Sequence, residues 1–331
     1  MGRHRSASSG ESRAASTTAG GRSRLAGGLL LGTLTAGALA VSGLAEAQEA
    51  QASCASVNGV SLFGGSACTS IRGTIAIGIG VGTTASATGG LFGTAFALGK
   101  NVTAIANGTD DHALIIGTNG TALAGEGSIP ASGIWSSQPS NHNTAIVVGN
   151  NSIAAAGSGD HNVATVIGNN NTAGAVDDPG NHNRATIIGS GNTAFVNNGN
   201  NNTGLLVGNN GKVYAGDGNG NTARLLGSNG FSAATHGDNN SSNVLGNNSS
   251  AYAGDTGSNN KTTVIGNNSQ AYANVGDNNT AKVVGNNSYA QARNGNGNSA
   301  RVSGNKSTAI AGPGDNNSVK VSGNGKYAQK P

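Results

Sequence analysis

The sequence predicts an all-β fold: a two-sheet β-solenoid (β-roll) of about 19-residue coils, preceded by a signal peptide. Two observations carry this. A unit of nineteen residues recurs, seen most clearly from Gly276 to Asn294, in halves of nine and ten residues. Within each half the small and apolar residues alternate by two, the period of a strand and not the 3.6 of a helix. Composition agrees. Gly accounts for 57 of 331 residues, aromatics for 3% and charged residues for 10%, with one Trp and one Met. Such a chain cannot fill several ordinary globular cores. Disordered chains carry more charge and less Val, Ile and Ala. Fixed-period repeats bury a core by stacking.

The chain begins with an Arg-rich stretch (Arg3, Arg5, Arg13, Arg22, Arg24), then an uncharged apolar run over 25–45 and the small-x-small site Ala45-Glu46-Ala47. Together these read as an export signal over 1–47. An uncleaved anchor is the competing reading, because the run approaches the length of a membrane span; after cleavage no stable membrane span remains. The expected location is secreted or cell-surface. Residues 48–70 form an N-terminal lead-in stapled by a Cys54–Cys68 disulfide, the expected fate of two nearby cysteines in an exported chain. The net charge of +4 lies in the N-terminal tail, and no basic stretch with interleaved aromatics follows, so nucleic acid is not an expected partner.

The repeats occupy 71–331, with a long inserted loop near 118–139. Each half is numbered from its Gly as position zero. In the first half, position three is Asn: Asn143, Asn162, Asn183, Asn202, Asn221, Asn240, Asn260, Asn279, Asn298 and Asn317. Position five is small and position seven apolar, as in Ala281 and Val283. In the second half the same positions read Ser-Ala-Ala, as in Ser288, Ala290 and Ala292. Positions three, five and seven share parity, so each half sends one row inward. Gly and Asn between the strands suit tight turns. Two such sheets enclose a thin core, with about thirteen coils stacked into a rod roughly 60 Å long. The buried Asn column is expected to form a ladder along the axis, each amide bonding its neighbours. Further insertions fall near Asp177-Asp178-Pro179 and Asp255-Thr256.

Departures from the repeat mark candidate sites. His142, His161 and His182 take position two in three successive coils, near Asp160, Asp177 and Asp178. Imidazoles on one edge are candidate ligands for Zn²⁺ or Cu²⁺, and repeated polar turn residues are the alternative. Position eight of the first half is an apolar column from Val148 to Val284. Parity points it outward, as a partner surface; the reading preferred here is a corner residue that turns inward to close the core. The aromatic row Phe195, Tyr214, Tyr252 and Tyr272, with Trp135 in the long insertion, is a candidate binding surface; cross-strand stacking is the plain reading of the row. Lysines and arginines gather between 282 and 331, where they keep solenoid ends apart or contact an anionic envelope polymer. No G-x-S-x-G, H-E-x-x-H or P-loop occurs, the 14 acidic residues are scattered at turns, and no cofactor is expected.

The segments Gly276-Asp277-Asn278-Asn279-Thr280-Ala281 and Gly314-Asp315-Asn316-Asn317-Ser318-Val319 resemble curlin repeats. The resemblance covers most of 140–331, although the regularly placed Gln of curlin repeats is absent. It implies a two-strand coil and, as one possible role, a curli-like self-assembling fibre subunit. The sequence as a whole points to a non-enzymatic exported surface or matrix protein, structural or adhesive, that presents a repetitive face to envelope polymer or to itself. A glycan- or ice-binding module is the third reading.

Overall fold

The computed structural model describes residues 53–125, 127–129, 134–136, 140–176 and 180–331. The expected signal segment and the Asp177-Asp178-Pro179 insertion lie outside these residues. The described chain is a β-solenoid of two parallel sheets. The first sheet has fifteen strands. Thirteen of these are solenoid strands running from Ile75–Ile79 to Ser318–Ser322. The other two, Cys54–Val57 and Val60–Phe63, pair antiparallel at its N-terminal end. The second sheet has fourteen strands, from Cys68–Ser70 to Tyr327–Lys330. The lead-in is therefore built into both sheets, and its disulfide joins Cys54 to Cys68 with Cα atoms 5.5 Å apart. Gly78 stands at an inward position beside it, where an added Cβ would meet the Cys54 sulfur at 2.9 Å and the Cys68 sulfur at 3.4 Å.

Register is strict. Ala145 pairs with Ala164, Ala164 with Ala185, and Val147 with Val166. Burial follows the sequence parity: Asn279, Ala281 and Val283 are buried, while Lys282 and Val284 face solvent. The core is a continuous layer of Ala, Val, Ile and Leu between the sheets. Thickness is conserved by compensation. Val196 and Val213 replace Ala on the second sheet where the first has Gly204, whose added Cβ would lie 2.7 Å from Val196. Gly230 takes the place of Ser where Leu225 intrudes, at 2.6 Å from an added Cβ. A native core tolerates neither voids nor overlap, so volume gained on one sheet is removed from the other.

The Asn column is buried and bonds along the axis, but through the backbone and not amide to amide. Each side-chain oxygen accepts the backbone N–H of the next Asn, as from Asn240 to Asn221 at 2.9 Å. From Asn143 to Asn298 each Nδ2 donates to the carbonyl of the Gly opening the following coil, as from Asn221 to Gly237 at 2.8 Å, while that of Asn317 donates to the Pro313 carbonyl. Asn221 Nδ2 also donates to the Gly216 carbonyl at 3.0 Å. Ser249, Ser269, Ser288 and Ser307 repeat the device in the second half: Ser269 Oγ donates to the Gly285 carbonyl at 2.8 Å and accepts the Ser288 N–H at 3.2 Å. Asn221→Ala removes three hydrogen bonds and leaves the buried Asn240 N–H without its acceptor. We expect a loss of about 3 kcal/mol in urea unfolding. Asn317→Ala, in the last coil and 7% exposed, is expected to cost less than half as much; equal losses would refute the ladder as the source of the effect.

The long insertion leaves the second sheet after Thr121–Gly125, and within it Gly127–Ile129 pairs antiparallel with Ile134–Ser136. Asp255 and Thr256 form a left-handed bulge, with φ of 70° and 65°. Among the described residues no helix is long and apolar enough to cross a membrane.

Candidate functional site

Three surfaces concentrate the departures from the repeat: the corner that carries the histidines, the outer face of the first sheet and the outer face of the second.

At the corner, His142, His161 and His182 follow one another in successive coils. Their ring centroids are 4.7 Å and 4.8 Å apart and their planes tilted by 32° and 34°. All three adopt the left-handed conformation, with φ of 59°, 61° and 60°. Asn or Gly fills the same slot in later coils, as at Asn201, Gly220 and Asn239, so the slot selects residues that tolerate a left-handed turn. Stacking at strand spacing separates the imidazoles. Among the described residues, no group of three His, Cys, Asp or Glu side chains is arranged to hold a metal ion. The structure thus brings the three histidines together as a stack rather than as a converging ligand set. The sequence reading missed the acid that heads the column. Asp110 Oδ1 lies 3.2 Å from His112 Nε2, and its Oδ2 lies 4.0 Å from His142 Nε2. His112 Nδ1 in turn meets Thr94 Oγ1 at 2.7 Å.

Behind this corner Asp111 is fully buried at position three, where later coils carry Asn. Its Oδ1 accepts the Asn143 N–H at 2.8 Å, as an Asn oxygen would. Its Oδ2 has no hydrogen-bond partner. Burial, reinforced by the charges of Asp110 and Asp160 and opposed by the bonds from Asn143, raises its pKa from 3.8 to about 7.

Other acids are turn residues. Asp160, Asp238, Asp277 and Asp315 sit at position one, where each Oδ1 accepts the backbone N–H of the preceding coil at 2.7–2.8 Å. No comparison with family profiles, curated proteins or solved structures gives a match for this chain. Function therefore has to be argued from the surface itself.

On the first sheet, position eight does not close the core. The column runs in register through Ile116, Val148, Ile167, Ile188, Val207, Leu226, Leu245, Ile265 and Val284. Eight of these nine side chains are 37% to 53% exposed, with Val207 partly buried. The inward corner reading is corrected. The strand stays extended up to this position, ending there in Val163–Ile167 and Ser241–Leu245 and running two residues further in Thr144–Asn150, so strict alternation holds through position eight. Ile79 and Leu98 continue the column toward the N-terminus beside a shallow depression of about 420 Å³. Position six on the same face changes along the axis. It is Ile77, Phe96, Leu114 and Ile146 in early coils, and Lys282, Arg301 and Lys320 in the last three.

On the second sheet, Phe195 and Tyr214 stack across neighbouring strands with centroids 6.0 Å apart. Ala233 interrupts the row between Tyr214 and Tyr252. The aromatic line continues diagonally instead: Tyr214 meets Phe231 at 5.9 Å and Tyr272 meets Tyr289 at 5.7 Å. Phe231 and Tyr289 were missed because position four is mostly polar in this half. The Tyr252 hydroxyl lies 3.2 Å from Thr235 Oγ1 and 3.5 Å from His236 Nδ1. Desolvation raises the pKa of Tyr252 and of Tyr289. Trp135 lies on the inserted hairpin, paired with Ser128.

Proposed function

We propose that this chain is an exported, non-enzymatic surface or matrix protein that presents a repetitive β-solenoid face. The observation that carries the reading is the apolar column of position eight. A soluble monomer gains nothing from nine aligned Ile, Leu and Val side chains on one surface, and contiguous apolar strips of this kind mark contact surfaces. A disulfide in a small lead-in accords with an oxidising compartment. The polar groups that could perform chemistry are largely committed to turns and ladders.

The test is fractionation of cells producing the full chain. Expected is a processed protein, beginning near Gln48, in the wall or matrix fraction. Paired substitutions Ile188→Lys and Leu245→Lys should release it into the medium. A cytoplasmic protein that still begins at Met1 or Gly2 would overturn the reading.

A second reading, the self-assembling fibre subunit suggested by the curlin resemblance, is favoured by the ends of the first sheet. Val60–Phe63 is exposed along its whole length and carries three large apolar residues, and Ser318–Ser322 is the terminal strand at the other end. Unpaired edges of this kind are templates for further strands. Fibrils seen by electron microscopy, with thioflavin fluorescence, support it; monomeric rods at high concentration count against it.

A further inference from the structure

We propose that the outer face of the first sheet, over its last coils, binds a linear acidic polysaccharide carrying one carboxylate per sugar. The site is a single file of cations. Lys282, Arg301 and Lys320 are direct neighbours in register; Lys261 stands one strand before Lys282 but opposite Thr280, and Arg224 stands three strands before Lys282, with Asn243 and Thr263 between; all five are exposed. Like charges directly opposite across parallel strands destabilise a sheet, so this file costs stability in the free protein and is relieved by an anion.

No carboxylate of the protein supplies that relief. The strands of the first sheet contain no Asp or Glu. Asp277 and Asp315 are turned to backbone N–H groups at the corner. Among the described residues, ion pairs are confined to three His–Asp contacts. The charge is also placed rather than diffuse, because the equivalent positions in early coils are Ile, Phe and Leu.

The chemistry beside the cations selects the class of anion. Position eight, two residues further along each strand on the same face, is Val284 beside Lys282 and Leu226 beside Arg224, with Leu245 and Ile265 on the two strands between. Sugar rings present apolar C–H faces that pack on such side chains while their carboxylates reach the cations. At the last two coils position eight becomes Ser303 and Ser322, and a shallow cavity of about 190 Å³ opens between the cations, lined also by Val284 and Ser303. Serine hydroxyls there can bond sugar hydroxyls. A strand of nucleic acid would call for aromatic platforms among the cations, and the aromatic side chains of the last coils, Tyr252, Tyr272, Tyr289 and Tyr327, belong to strands of the opposite sheet. A polyphosphate would gain nothing from the apolar flank.

This inference deepens the surface-protein reading and rests on it only for the polymer being within reach of the chain. The experiment is fluorescence anisotropy of the full chain with labelled oligogalacturonate, competed by single-stranded DNA and by linear polyphosphate at equal charge. Expected is binding that falls roughly tenfold or more in Lys282→Ala/Arg301→Ala/Lys320→Ala and similarly as salt is raised. The control Lys100→Ala/Arg184→Ala/Lys212→Ala should remain within about twofold. The melting temperature of the first triple variant should equal or exceed that of the parent, because repulsion is removed. Undiminished binding by that variant, no binding by the parent, or competition by DNA or polyphosphate at least as strong as by unlabelled oligogalacturonate would each overturn the proposal. Such a failure would leave the fractionation result standing, and cytoplasmic retention would sink the export reading without altering binding in solution.

Discussion

Gly208→Ala is expected to cost more than about 4 kcal/mol, the exceptional range for a single substitution, and to split the unfolding of the rod into two steps. Gly208 opens the second half of its coil at φ 146°. An added Cβ would stand 2.0 Å from the carbonyl oxygen of Gly227 and 2.6 Å from its carbon. Both atoms belong to the backbone of the next coil, so no side chain can swing away. Opening the gap to an acceptable contact moves adjacent coils apart by about 1 Å, enough to break bonds such as Gly227 N–H to the Val207 carbonyl at 2.9 Å. Stability in a solenoid is carried by neighbouring interfaces, so one broken interface uncouples the coils on either side. Gly323→Ala separates this overlap from the cost of a left-handed residue. Gly323 has φ 99° but no coil beyond it, and the nearest atom to an added Cβ is Lys326 Cγ at 3.9 Å. Its replacement should cost about 1–3 kcal/mol for backbone strain alone. Urea unfolding followed by circular dichroism reads both; a loss at Gly208 no larger than that at Gly323 would remove inter-coil contact as the reason for the glycine column.

The inward rows were legible in the sequence because their cause is local. A strand alternates its side chains, so the spacing of Asn279, Ala281 and Val283 was enough to place all three in the core. What failed to show was how the chain turns. Position eight was expected to bend inward at the corner, yet the following Gly closes the turn with its own backbone freedom, leaving Ile167 or Leu245 in an unbroken extended strand and therefore outside. The partner of the Asn amides was also hidden. The sequence shows a column but not whether amide meets amide or backbone, and the left-handed residue at position two is what turns the next N–H along the axis. That same slot explains the histidines: Asn201 and Gly220 one and two coils later already marked it as a left-handed position. The diagonal aromatic contacts of Phe231 and Tyr289 depend on pairing between strands, which only the register supplies. Asp111 was within reach. Counting from Gly108 places it at position three, in line with Asn143.

Asp111→Asn is expected to remove a loss of stability that the parent suffers between pH 4 and pH 8. The unfolded carboxyl ionises near 3.8, while the folded one holds its proton to about 7. Below pH 4 both states are protonated and nothing is lost. Between the two values the unfolded chain releases a proton that the folded chain keeps, so unfolding becomes steadily easier as pH rises. Above 7 both are ionised and the whole penalty remains. The gap corresponds to about 4 kcal/mol. The hydrogen-bond frame gives the same sign. Oδ2 stands where later coils place Nδ2, the atom that donates to the carbonyl opening the next coil, here that of Ser140. A protonated carboxyl can make that bond; a carboxylate brings a second acceptor to an acceptor, and the orphaned oxygen is the trace of this conflict. Asparagine restores the donor at every pH. The stability difference between Asp111→Asn and the parent should therefore grow by about 4 kcal/mol from pH 4 to pH 8, measured by urea unfolding at each pH. Taking the difference removes pH effects that do not involve Asp111. A difference that stays flat across this range would mean that Asp111 ionises normally in the folded state and that the Oδ2 site is reached by water.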